Sequence, residues 1–403
     1  MLHEGLVRHH VYLVPGFFGF ANFGDFRYFA HVREHLAAYA DLRGIDASIH
    51  YAPTHPTASL RRRASRLVEI VAETAGTEGP IHLVGHSTGG LDARLAVAPG
   101  ASLLTAVEIE PLMRRVESVL AVTSPHYGAP TAAFFSSLLG QRLLGLLSLV
   151  TIQAIRVGTI PMPAIVLLAS ALGSTGAGRL VSGGIVEQVY DLVLKDFSPD
   201  RRKQIETIFA EVQRDQTLLV QLTPEGLDLF NALATERAGI RRGCVVAQAQ
   251  PPSVRRQLQV GPSPTHQGMY NLYRGLHTIA STLPEELLPS PTEAQARVLT
   301  EAFGRVPSAR GNDAMVPTRS QVWGEIVHAA WADHLDVIGH FAESEDDRRA
   351  RDRRSTRQSL SGSLASALEG ESPKHVDWIR TMSGFGRAEF ERMWDAVAKF
   401  VFG

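Results

Sequence analysis

Two rhythms of apolar and polar positions alternate along this chain. Short apolar runs stop abruptly at turn residues. His10–Val14 ends at Pro15-Gly16, Ala47–Tyr51 and Ile81–Val84 are equally brief, and Val116–Thr123 ends at Ser124-Pro125. Runs of this length, bounded by Gly, Pro and Ser, predict buried strands. Between them the apolar positions recur with helical spacing. Asp25–Tyr39 carries Phe26, Phe29, Val32 and Leu36 on one face, and Ser59–Thr74 reads as a helix with a basic outer face (Arg61, Arg62, Arg63, Arg66). That charge run predicts a solvated surface. Strands alternating with helices imply an α/β architecture, a mostly parallel central sheet flanked by helices on both sides.

The alternation breaks after residue 130. From Thr131 to about Ala238 the pattern is helical with no strand, Leu- and Ala-rich first, then charged at Arg201–Arg214 and Glu225–Glu236. This predicts a helical cap or lid, residues 131–238, inserted into a core made of residues 1–130 and 239–403. The sheet resumes at Gly243–Gln248. A helix follows at Tyr270–Thr282, and a last strand is expected at Gln321–Val327. The charged, then Ser/Ala/Gly-rich stretch 342–374 predicts a mobile surface loop. Arg387–Phe400 closes the chain as a helix with Phe390, Met393, Trp394, Val397 and Phe400 as its buried stripe.

One junction carries candidate chemistry. The strand Ile81–Val84 runs into Gly85-His86-Ser87-Thr88-Gly89, and a helical segment starts at once with Gly90-Leu91-Asp92-Ala93. In a strand–turn–helix context a Gly-X-Ser-X-Gly sequence forms a sharp elbow that lifts the serine hydroxyl above the sheet. Ser87 is the candidate nucleophile. The Thr88 amide, at the helix start, is a candidate oxyanion donor.

A serine needs a base, and the base needs a carboxylate to orient it. On a parallel sheet these follow in the order Ser, acid, His. Asp313, in the turn Gly311-Asn312-Asp313-Ala314, is the candidate acid, and His334, in Ala332-Asp333-His334-Leu335-Asp336, is the candidate base, with His375 next and His328 and His340 as further rivals. The loop after the first strand, Pro15-Gly16-Phe17-Phe18-Gly19-Phe20, supplies Phe17 as second oxyanion donor.

Composition narrows the field. Across 403 residues, net charge is −1, which implies no nucleic-acid partner and no general pull toward anionic membranes. The single cysteine excludes an intrachain disulfide and suits a reducing compartment. No secretory signal is visible at the N-terminus, so a cytoplasmic location is expected. The apolar segments Leu143–Ile155 and Val157–Leu172 are each shorter than the ~20 residues that span a bilayer.

The Pro-Gly-Phe-Phe-Gly-Phe loop, Gly-His-Ser-Thr-Gly-Gly-Leu-Asp-Ala-Arg, Thr-Ser-Pro-His-Tyr-Gly-Ala-Pro, Asn-Asp-Ala-Met-Val-Pro and Asp-His-Leu-Asp together resemble the α/β-hydrolase superfamily, and within it bacterial triacylglycerol lipases and esterases. The resemblance covers about residues 9–130 and 243–340. It implies hydrolysis of carboxylic esters through an acyl-enzyme, with no cofactor and a small-molecule or lipid ester as substrate; the Leu-rich first half of the cap, outside the resemblance, adds the expectation of transient contact with a lipid interface. Two departures stand out. Pro15 occupies a position where the family usually has His. Some of these lipases hold calcium through an acid just after the histidine; Asp336 matches, but His340 stands where a neutral amide is expected, and no metal is predicted. Acyl transfer, thioester or lactone cleavage on the same triad, and a non-catalytic interaction role, are the competing expectations.

Overall fold

The computed structural model describes residues 7–17, 22–23, 26–136, 162–173, 217–342 and 379–403, with isolated positions from 143 to 215 and at 377. Its centre is a six-stranded sheet. The strands are β1 (His9–Val14), β4 (Ala47–Tyr51), β5 (Ile81–His86), β6 (Val116–Val122), β7 (Arg241–Gln248) and β8 (Glu325–Trp331). They lie in the order β4-β1-β5-β6-β7-β8, every pair parallel. The short strands β2 (Asn22–Phe23) and β3 (Phe26–Arg27) form a separate antiparallel pair.

Period-two alternation assigns each strand residue to one of two cores. Val11, Leu13, Val84, Leu120, Val122 and Val245 pack on one side, where α1 (Val32–Asp41) and the terminal helix Arg387–Phe402 bring Leu36, Phe390 and Trp394. Tyr12, Val14, Leu83, Ala121 and Val246 face the other side, against α2 (Leu60–Thr74) and α3 (Thr88–Val97). Such a sheet, buried on both faces, needs apolar residues at consecutive positions, and β5 is buried throughout. The described residues between β6 and β7 include the helices Pro130–Ser136, Met162–Gly173, Thr217–Gln221 and Pro224–Leu233. Among the described residues, no helix is long and apolar enough to cross a membrane.

Three sequence expectations are corrected here. The helix foreseen over Asp25–Tyr39 begins only at Val32. Ahead of it, the Ala30 amide bonds the Ile338 carbonyl at 2.9 Å and His31 takes φ 62°, so a tertiary contact overrides the helical period. The last strand is Glu325–Trp331, not Gln321–Val327, because Gly324 (φ +66°) turns against the Arg242 carbonyl just before it. Arg63 is no solvated residue; its side chain is fully buried. The helix Glu293–Phe303 was not foreseen, although Thr292 and Gln295 form a full capping box at its start. The loop expected at 342–374 lies, beyond Ala342, outside the described residues.

Candidate active site

Ser87 sits where β5 meets α3, with φ 55° and ψ −127°. A non-glycine residue in that region is strained and persists only where packing dictates it. The packing is visible at the flanking glycines. A Cβ at Gly85 would lie 2.3 Å from the Gly89 backbone, and one at Gly89 would lie 2.2 Å from the Val14 carbonyl oxygen. Only glycine lets strand, helix and the end of β1 come that close.

The C-terminal ends of β1, β5, β7 and β8 deliver the remaining groups to the same edge. His334 follows β8. Its Nδ1 lies 2.7 Å from Asp313 Oδ2, and its backbone amide bonds the Asp313 carbonyl at 3.0 Å. A carboxylate can only accept, so Nδ1 carries the proton and Nε2 is left as the acceptor. Asp313 is held in turn. Its Oδ1 accepts from the Met315 and Val316 amides, and Oδ2 also accepts from Gln321 Nε2 at 3.1 Å. The structure therefore brings Asp313 and His334 into direct contact and sets them beside the elbow. His86, next to Ser87, has its ring centroid 4.6 Å from that of His334. No hydrogen bond between Ser87 Oγ and His334 occurs among the described residues. Catalytic contacts of this kind often tighten only with substrate bound.

Two of the rivals lie elsewhere. His328 is a half-buried residue within β8, and His340 faces the Tyr28 carbonyl at 3.0 Å. His375 lies outside the described residues.

A chain of hydrogen bonds, not foreseen from sequence, joins the first loop to the histidine loop. His86 Nε2 lies 2.9 Å from the His334 carbonyl, so it must donate, and Nδ1 must accept. Tyr28 Oη donates to that Nδ1 at 2.7 Å and accepts the Gly16 amide at 2.9 Å. Burial holds the His86 imidazole neutral, well below its ordinary pKa, and pushes the Tyr28 phenol up. Gly16 also lies close to Ser87, since a Cβ there would come within 2.6 Å of Ser87 Cβ.

Arg63 anchors the same loop from behind. Its guanidinium pairs with Asp92 of α3 at 2.7 Å, both side chains fully buried. It also donates to the Pro15 carbonyl at 3.0 Å, the Gly16 carbonyl at 3.2 Å, Thr88 Oγ1 at 3.3 Å and the His55 carbonyl. Carbonyls drawn toward Arg63 fix the peptide planes that lead into Phe17, which is itself half-buried. Asp92 was legible in the sequence only as part of an elbow motif, and Arg63 only as one of four arginines. Nothing in the pattern marked them as a pair.

The Asp336 position does not fit a calcium ion. Asp336 Oδ2 is taken by the Asp333 amide at 2.9 Å and by Ser383 Oγ at 2.8 Å, and His340 turns to a carbonyl. Among the described residues no three His, Cys, Asp or Glu side chains converge to hold a metal. The carboxyls are instead a titrating cluster. Burial first, then the neighbouring Asp377, pushes Asp333 up to about 7. Burial and then the Asp333 charge push Asp336 well above the usual carboxylate range. Arg380 faces Asp377 and offsets part of this.

Asp333 therefore keeps a proton in the folded chain from pH 3.8 to about 7, where the unfolded chain has lost it. Folding stability then falls as pH rises through that window and levels off above it. Thermal melts of the wild type are expected to show this decline, and Asp333→Asn, which removes the titrating carboxyl, is expected to flatten it. Parallel melting curves for the two proteins would remove the cluster from the explanation.

No family model and no curated protein matches the chain. Solved structures that resemble it include lipases and esterases. EstA from Clostridium botulinum shares 16% identity over 84% of this chain and 85% of its own, with a TM-score of 0.45. Lipase 1 from Pelosinus fermentans shares 18% over 83% and 94%, with a TM-score of 0.45. Staphylococcus hyicus lipase shares 14% over 98% and 95%, with a TM-score of 0.48.

Proposed function

We propose that this protein is a serine hydrolase that cleaves carboxylic esters through an acyl-enzyme. The observation that carries the reading is the pairing of His334 Nδ1 with Asp313 at 2.7 Å beside a serine held at positive φ on a strand–helix elbow. In this reading His334 Nε2 takes the Ser87 proton as Oγ attacks the ester carbonyl. The tetrahedral intermediate places its oxyanion against the Phe17 and Thr88 amides. Collapse expels the alcohol, which receives the proton from His334, and water then repeats the sequence on the acyl-enzyme. Asp313 holds the imidazole in the needed tautomer and stabilises its cation. Donors fixed in advance for the oxyanion contribute about 10²–10³ in rate. Arg63 and the Tyr28–His86 chain are positioning groups for the two loops.

The stretch 131–238 serves, in this proposal, as a cap over an apolar acyl cleft and as the part that meets lipid. Medium-chain or longer acyl groups are the expected substrates. A fluorophosphonate probe is expected to label Ser87 stoichiometrically, as mapped by peptide mass. Turnover of p-nitrophenyl esters is expected to favour octanoate over acetate. A labelled but acetate-preferring enzyme would remove the apolar cleft and leave the triad, whereas an unlabelled Ser87 would remove the triad itself. Product analysis with an added alcohol separates hydrolysis from acyl transfer.

A further inference from the structure

A cavity of about 900 Å³ opens beside the carboxyl ends of β7 and β8, and Ser87 is not among its lining residues. Its wall comes from the long helix Pro264–Ala280, the end of the helix Glu293–Phe303 and the loop 305–311. Three arginines, Arg274, Arg305 and Arg310, line it and are exposed. Among the described residues none of the three pairs with a carboxylate, and no acidic side chain is among those lining the cavity. Three cations sharing one mouth repel each other unless an anion comes between them.

The interior differs from the mouth. Phe303 and Trp331 meet edge to face, with ring centroids 5.2 Å apart, and Pro251, Pro252 and Pro307 extend this apolar surface. Two polar side chains are set into it. Gln248 and His277 are each only 8% exposed, and Gln248 Oε1 and His277 Nε2 have no hydrogen-bond partner. Buried polar atoms left unpaired cost about 1–3 kcal/mol, so they mark places where a partner is missing. Burial holds the His277 imidazole neutral, at about 4, so Nε2 is not itself a cation seeking an anion.

We propose that this cavity is a binding site for a small organic anion, a phosphate or carboxylate carried on a planar apolar body. The anionic end lies among Arg274, Arg305 and Arg310, where guanidinium forks can bind it bidentately. The planar body packs on Trp331 and Phe303. The site is wired to the turn that carries Asp313. Asn312 Nδ2 bonds the Arg310 carbonyl, the His277 carbonyl and Ser281 Oγ at 2.9–3.2 Å. The proposal stands on the residues of the cavity itself, and only the fluorophosphonate arm of its test draws on the ester-hydrolase reading.

Calorimetric titration of the full chain at low salt tests it, with phenylphosphonate, inorganic phosphate and benzyl alcohol as probes. Phenylphosphonate is expected to bind saturably, tighter than inorganic phosphate, and benzyl alcohol not to bind measurably. Arg305→Gln/Arg310→Gln, at exposed positions that leave the core intact, is expected to weaken phenylphosphonate binding about tenfold or more, the loss of two charge-assisted contacts. Binding is expected to persist after fluorophosphonate has occupied Ser87. Absence of saturable binding, equal affinity in the double variant, or loss of binding on blocking Ser87 would each overturn the site. Equal affinity for inorganic phosphate and phenylphosphonate would overturn its organic character.

Discussion

Ser87→Ala is expected to lower kcat for p-nitrophenyl ester hydrolysis by about 10⁴-fold or more, with KM little changed. In the proposed mechanism the loss falls on kcat because the hydroxyl acts by forming a bond in the transition state and contributes little to holding the ester beforehand. The fold is expected to survive. Alanine removes only an oxygen at a position 7% exposed, and the amide of residue 87 keeps its bond to the Val122 carbonyl at 2.8 Å. An unchanged circular dichroism spectrum and melting temperature would establish that the loss is chemical. Residual turnover within tenfold of wild type would mean that another group is the nucleophile and that the elbow only turns the chain.

Asp92→Ala is expected to destabilise the folded chain by about 3–5 kcal/mol, because it strands the Arg63 guanidinium in an apolar interior without its counter-charge. Burial already pushes the Asp92 carboxyl up to about 6 against the opposing pull of Arg63, a sign of how dry the site is. The double variant Arg63→Met/Asp92→Leu separates stability from positioning. Removing both charges is expected to return most of the lost stability, since a buried pair and a well-packed apolar pair are often close in free energy. Activity is not expected to return with it. The Pro15 and Gly16 carbonyls and Thr88 Oγ1 lose their shared donor, and the loop bearing the Phe17 amide loses its register. Chemical denaturation and ester turnover, measured on the same three proteins, check both halves. A double variant as active as wild type would reduce the pair to a core element with no influence on the loop.

The local pattern carried the strands well. β1, β4, β5, β6 and β7 appear within three residues of where short apolar runs and turn residues put them, because burial on both faces demands continuous apolar sequence. The elbow was equally legible. Gly85 and Gly89 are irreplaceable for a reason local to the motif, the closeness of one strand, one helix and the neighbouring strand end. The proposed order Ser87, Asp313, His334 draws on the direction in which a parallel sheet presents its loops.

What the sequence could not determine was every relation set by a distant segment. Helical spacing through Phe26 and Phe29 gave way to a loop tied to residue 338, and Tyr28 became the link between Gly16 and His86. Arg63 looked like its neighbours Arg61 and Arg62 because charge runs look alike in one dimension; only its inward place on α2, opposite Asp92, took it out of water. The aspartate after the histidine became part of a proton-holding cluster through residues 377–383, some forty positions downstream. Hydrophobic periodicity reports which face of an element is buried. It does not report which buried polar group it will meet there, since that depends on how separate elements are brought together in space.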